Sequence, residues 1–164
     1  MPYNRFVYSN WIKYILYILT VIALGFLQIN VLPKIWYFRV KPDLLLVYAV
    51  IIALNLASLK FILFVLFCGL FKDAFGLHLF GLNAFMFCLD AGLIYFISRY
   101  IYKEIPGFKF VLVSGVTVLN YILISVIFNR PYIFIGLQEA LLNCLALPLV
   151  SKMFFWEAKE ASLS

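Results

Sequence analysis

Apolar residues run through this chain in long blocks, with polar residues in the gaps between them and at a few isolated points inside them. A helix needs about 20 apolar residues to cross about 30 Å of hydrocarbon. The first block, Tyr14 to Leu32, meets that length and ends at Pro33-Lys34 and a polar stretch holding Arg39, Lys41, Pro42 and Asp43. From Leu44 to Phe71 the only charge is Lys60. One helix over that stretch would be about 42 Å long and would put Lys60 near the bilayer centre, at about 2.5–3.5 kcal/mol. A tight hairpin avoids this, with spans at 44–57 and 59–75, Asn55 and Ser58 helping the turn, and Lys60 reaching the interface. Gly76-Leu77-His78-Leu79-Phe80-Gly81 reads as the next turn. Spans follow at 82–100, 108–128 and 132–155, broken by Lys103-Glu104-Ile105-Pro106-Gly107 and by Asn129-Arg130-Pro131. The pattern predicts an all-α integral membrane protein, one transmembrane domain over residues 1–164 with six transmembrane helices. Five spans, or a re-entrant pair, is the alternative count.

Composition strengthens the membrane reading. The chain is 66% hydrophobic, 20% aromatic and 12% charged, with mean hydropathy +1.07. Soluble domains carry about 25% charged residues, and a soluble chain of this size could not hide so much apolar surface. The net charge of +6 is not gathered into a basic stripe, which argues against nucleic acid and points to membrane topology. The first apolar block is too long for the core of a removable signal peptide, so it reads as a span that stays. With six spans, Arg5, Lys13, Lys60, Arg99, Lys103, Lys109, Lys152 and Lys159 share the side of the termini. Lys34, Arg39, Lys41, Lys72 and Arg130 fall on the other. The bias places both termini in the cytoplasm. Trp11, Trp36, Tyr37, Tyr100, Tyr102, Tyr132 and Trp156 sit near span ends, as interfacial aromatics do.

The segment Gly69-Leu70-Phe71-Lys72-Asp73-Ala74-Phe75-Gly76 sets an ammonium beside a carboxylate near the outer end of span three. Neighbours on a helix point about 100° apart. Lys72 can snorkel to the surface on its long stem, whereas Asp73 is too short to do so. Gly69 and Gly76 share a face with Asp73 and let another backbone come close, so Asp73 is expected to face the bundle and lock helix against helix. Asn83 and Asp90 lie nearly on one face of span four. Glu139 and Asn143 are one helical turn apart on span six, with Gly136 and Ala140 nearby. Gln28, Asn55 and Asn120 are single polar points on their spans. Each must find a partner or a wet cavity. Interhelical packing is the plain reading, ahead of partner or ligand binding.

Catalysis has little to rest on. His78 is the sole histidine, and no Ser or Cys stands in a nucleophile context. There is no glycine-rich phosphate loop after a strand and no HExxH, and the carboxylates are not spaced as a metal-binding DxxxD. Cys68, Cys88 and Cys144 all lie in apolar runs without a CxxC, and read as small packing residues. The sequence therefore predicts no enzyme, no cofactor and no metal site.

Four stretches taken in order carry a family resemblance: KPDLLLVYAV (Lys41–Val50), GLFKDAFG (Gly69–Gly76), GLNAFMFCL (Gly81–Leu89) and QEALLNCLALPLV (Gln138–Val150). Together they resemble the MreD family of bacterial rod shape-determining proteins, over nearly the whole chain. The resemblance implies a multi-pass protein of the bacterial cytoplasmic membrane. It implies a non-enzymatic role in the elongation machinery, alongside the bitopic protein MreC, the MreB filament, and the wall glycosyltransferase and transpeptidase. It implies a fold similar to the substrate-binding (S) component of energy-coupling-factor transporters. Membrane lipid surrounds such a protein, and self-association is compatible with it. Matching positions are Pro42 and Asp43, Gly69, Asp73 and Gly76, Gly81 and Asn83, and Glu139 with Asn143. Lys72 departs from the pattern, which has an apolar or small residue there.

A partner's single span lying against a small-residue face is the natural mode of association, with the Gly69–Asp73–Gly76 face and the Gly136–Ala140 face as candidates. The alternative function is a solute-binding transporter component. Span one holds a single alanine and lacks the AxxxA coupling signature, which favours the scaffold.

Overall fold

The computed structural model describes residues 3–35, 40–55, 61–75, 80–100 and 107–163. These are helical almost throughout. Helix α1 (Tyr3–Phe26) continues through a π-helical segment (Leu27–Val31) into the short α2 (Leu32–Ile35). Then come α3 (Leu44–Asn55), α4 (Phe61–Phe75), α5 (Leu82–Tyr100), α6 (Phe108–Phe128) and α7 (Ile133–Leu163). The α1–α2 rod and the five later helices overlap the six helical segments that hydropathy predicts, but the rod starts well before Tyr14 and α7 runs past Phe155, because helix continues into polar residues that hydropathy leaves out. The Ala57-Ser58 turn with Lys60, the Gly76–Leu79 turn with His78, and the Lys103–Pro106 break lie outside the described residues.

Three helices contain stretches long and apolar enough to cross a membrane: Tyr14–Val31, Phe108–Phe128 and Ile133–Met153. By contrast α3 has only 12 residues, about 18 Å of rise. Every residue from Leu44 to Leu54 is buried. A helix apolar on all sides belongs inside a protein, and α3 is packed on α1, α4, α5, α6 and α7. Tyr48 and Val47 are fully enclosed at its centre, and Phe87, Ile94, Val113 and Leu147 from the surrounding helices pack into the same core.

The closest pairings are α4 with α5 and α6 with α7. Both hairpins close through left-handed backbone at their ends. Gly81 has φ +93°, which a side chain rarely tolerates, and it starts α5. Asn129 has φ 50° and ends α6. There Arg130 N–H donates to Ser125 O at 3.1 Å and Tyr132 N–H to Ser125 Oγ at 2.9 Å. These bonds return the chain antiparallel into α7.

The outer face of the bundle is as apolar as its core. On α7, Leu141, Leu145 and Leu149 recur every four residues and are 70%, 71% and 69% exposed. Phe85, Phe96, Val111, Val126 and Phe134 stand outward in the same way.

Candidate functional site

The polar side chains inside the bundle gather at one end of the short central helix. Pro42 fixes the backbone before α3, and Asp43 caps it: Asp43 Oδ1 accepts the Leu46 N–H at 3.1 Å. The same Oδ1 accepts from Gln28 Nε2 at 3.1 Å, and Gln28 Oε1 in turn accepts the Leu45 N–H at 3.2 Å. Gln28 lies in the π-helical segment of α1. An extra residue in that turn shifts side-chain directions from those of an ordinary α-helix. The Asp43 N–H donates to Asn143 Oδ1 at 2.6 Å, and Asn143 Nδ2 donates to Thr117 Oγ1 at 3.0 Å. Thr117 donates back to Val113 O at 2.7 Å. Four helical elements thus converge on the amino end of α3.

The remaining Asp43 oxygen, Oδ2, pairs with Lys72 Nζ. The expected snorkelling of Lys72 to the outer surface is overturned. Its neighbour Asp73 faces α5, so Lys72, about 100° round the helix, faces α3. A buried carboxylate within reach of its stem outcompetes the interface, because that carboxylate has no other cation. The ammonium also lies 5.3 Å from the centre of the Phe87 ring. The Lys72 side chain keeps 31% of its surface open, against 3% for Asp43.

Asp73 serves a different helix. Its two oxygens accept the backbone N–H groups of Gly81 at 3.1 Å, Asn83 at 3.1 Å and Ala84 at 3.0 Å, and Asn83 Nδ2 at 2.7 Å. A carboxylate on α4 therefore caps the amino end of α5, where orphan N–H groups and the helix dipole favour an anion. Gly69, one turn earlier, makes room for this: a Cβ there would lie 2.7 Å from the Ala84 nitrogen. Gly76 lies outside the described residues.

Gly69 and Gly136, one on each small-residue face that the sequence offers to an external helix, are covered by the chain itself. Gly69 meets α5, and a Cβ at Gly136 would collide with Tyr121 of α6. Small residues let any backbone approach, and in a six-helix bundle the nearest backbones are the chain's own. Tyr121 Oη donates to Glu139 Oε2 across that contact. Asp90 on α5 accepts from Asn120 Nδ2 on α6 at 2.7 Å; both side chains are buried. The expected face shared by Asn83 and Asp90 divides, Asn83 going to Asp73 and Asp90 to Asn120.

Asp43, Lys72, Asn83, Tyr121 and Glu139 border both a small inner chamber of 40 Å³ and a cleft of 660 Å³ that opens outward. Apolar side chains including Ile29, Phe75, Ile124, Phe128 and Ile135 line much of the cleft, beside polar ones such as Gln28, Lys41 and Tyr132. A separate groove of 790 Å³ runs on the outer face between α6 and α7, over Ser114, Gly115, Leu119, Ala140 and Cys144. A Cβ at Gly115 would meet nothing.

Of the residues singled out in the sequence, Pro42, Asp43, Asn83, Glu139 and Asn143 come together around the chamber or its hydrogen-bond network. Gly69, Asp73 and Asp90 bind helix to helix beside it. Lys72, Tyr121 and Thr117 were not recognisable as members. No group of His, Cys, Asp and Glu side chains arranged to hold a metal ion occurs among the described residues. Comparison with protein-family models, with curated proteins and with solved structures finds no match to this chain.

Proposed function

We propose that this chain is a non-enzymatic membrane scaffold of the bacterial cell-elongation machinery, helping to direct lateral peptidoglycan synthesis and to maintain cell shape. In this reading six helices cross the cytoplasmic membrane with both termini in the cytoplasm. The short α3 is sheltered from lipid by its neighbours. The observation that carries the reading is the division of labour among side chains. Interior polar groups tie helix to helix, through Asp73 on α5, Asp43 with Lys72, Gln28 and Asn143, and Asp90 with Asn120. The exterior is a belt of large apolar side chains. A body built this way meets partners through helix faces in the bilayer. The resemblance of the Lys41–Val50, Gly69–Gly76, Gly81–Leu89 and Gln138–Val150 stretches supplies the identity of those partners.

The α6–α7 groove is the natural seat for the single span of an MreC-type bitopic protein. Its small side chains Ser114, Gly115, Ala140 and Cys144 and the open space over Gly115 give a backbone room to approach. The MreB filament and the wall glycosyltransferase and transpeptidase join through that assembly. Depletion in a rod-shaped host should round the cells. A Gly115→Leu protein should unfold at the wild-type temperature yet no longer co-purify the bitopic partner or restore rod shape. Full rescue by Gly115→Leu would remove the groove from this account, and unchanged shape on depletion would remove the scaffold.

The outward-opening cleft of 660 Å³ supports a second reading, a solute-binding component of a transporter. Co-purification of a vitamin or an ATPase module, with cell shape unchanged on depletion, would favour it.

A further inference from the structure

Two of the acidic side chains inside the bundle have an electrostatic partner in contact. Asp43 has Lys72, and Asp73 has the amino end of α5. Glu139 has neither. Its single hydrogen bond among the described residues comes from the neutral Tyr121 hydroxyl. The ammonium of Lys72, bordering the same chamber, is held by Asp43 as an ion pair. Asn120 lines the chamber as well. It is 6% exposed, and its Oδ1 accepts no hydrogen bond among the described residues. The vacant valences of the chamber are therefore acceptors, one of them on a carboxylate in contact with no cation, since Lys72 is paired with Asp43. Such a group calls for a cation that also donates hydrogen bonds. The adjoining cleft offers 660 Å³, with Ile124, Phe128 and Ile135 among its lining residues, the size of a small-molecule site. The other cation on the cleft, Lys41, is exposed and screened by solvent.

We propose that the cleft binds an organic amine, its primary ammonium group seated against Glu139 and Asn120 and its apolar body lying along Ile124, Phe128 and Ile135. The site goes beyond the scaffold role and does not depend on it. The same ammonium chemistry is carried by a soluble amine and by the aminoethyl headgroup of a phospholipid.

The test uses the full chain in neutral maltoside micelles. Its thermal unfolding midpoint is followed with phenethylammonium, with the neutral phenethyl alcohol and with the anionic phenylacetate. Parallel samples contain phosphatidylethanolamine or phosphatidylcholine. A rise with phenethylammonium alone among the soluble probes identifies a soluble amine site. A rise with phosphatidylethanolamine and not phosphatidylcholine, without a response to phenethylammonium, identifies a lipid headgroup site. In either case Glu139→Gln should weaken the response about tenfold or more, the worth of a charge-assisted hydrogen bond. Equal responses to amine, alcohol and acid, no response to any amine, or an undiminished response in Glu139→Gln would overturn the proposal. Should Glu139→Gln not fold, Ile124→Trp provides the second reading, because its indole would occupy the seat proposed for the apolar body of the amine. Loss of the amine response in that variant supports the site, and retention overturns it.

Discussion

Asp43 and Asp73 are both buried, both sit at the amino end of a helix, and both accept several hydrogen bonds, yet only one has a cation. Asp73 receives three backbone N–H groups and a side-chain amide, all from the first turn of α5 and the residue before it. Those donors and the helix dipole stabilise its charge without a counter-ion. Asp43 caps its own helix with one backbone N–H and takes the rest of its donors from distant segments: Gln28 and Lys72. A carboxylate surrounded by local backbone donors is self-sufficient. One with fewer backbone donors depends on side chains that other helices bring. The first is a hinge pin between two consecutive helices. The second is where the whole bundle is joined, and it is next to the cleft.

Mutations separate the two. The largest effect is expected at the Asp73 side, from Gly69→Leu. Its side chain would overlap the Ala84 backbone, which cannot move without uncapping α5. The cost should exceed about 4 kcal/mol, and size-exclusion chromatography in micelles should show loss of monodisperse protein. On the Asp43 side, Lys72→Met leaves a buried carboxylate without its cation, at a cost of about 3 kcal/mol, the lower end for a broken buried pair because water reaches the cleft. Adding Asp43→Asn to Lys72→Met should restore part of that stability, since no charge is then stranded. A double mutant no more stable than Lys72→Met alone would show that the pair matters only through packing. Asp73→Asn keeps an acceptor toward α5 but loses the charge, and should lower stability by about 1–2 kcal/mol. If Asp73→Asn proves as damaging as Lys72→Met, the contrast between self-sufficient and dependent carboxylates fails. Smallest of all is Gly92→Ala on the outward side of α5, where a Cβ meets nothing. Its unfolding midpoint should match or slightly exceed wild type.

The Asp73 cap was partly legible in the sequence because its parts are close along the chain. Gly69, Asp73 and Asn83 span a single helical hairpin, and glycine at helical spacing beside a short acid announces a close contact. The Asp43 junction was not legible in the same way. Lys72 lies 29 residues from Asp43 and Asn143 lies 100. Which helix faces which is decided by the packing of all of them. The role of Gln28 depends on a π-helical turn in α1 that no residue in Leu27–Val31 advertises. The Gly136 face was legible as a close-approach surface, but its occupant, Tyr121 of α6, was not.

By itself the sequence determined that this chain is a set of apolar helices, roughly where each lies along the chain, and that its few polar interior residues had to find company. Those are consequences of desolvation and helix length, which act on each segment separately. Only the tertiary structure decided the company: that Lys72 turns inward to Asp43, that α3 is the enclosed centre, and that Glu139 is left at the cleft with Tyr121 as its hydrogen-bond donor. Pairing between helices depends on their relative rotation and order, and these emerge when all the helices pack at once.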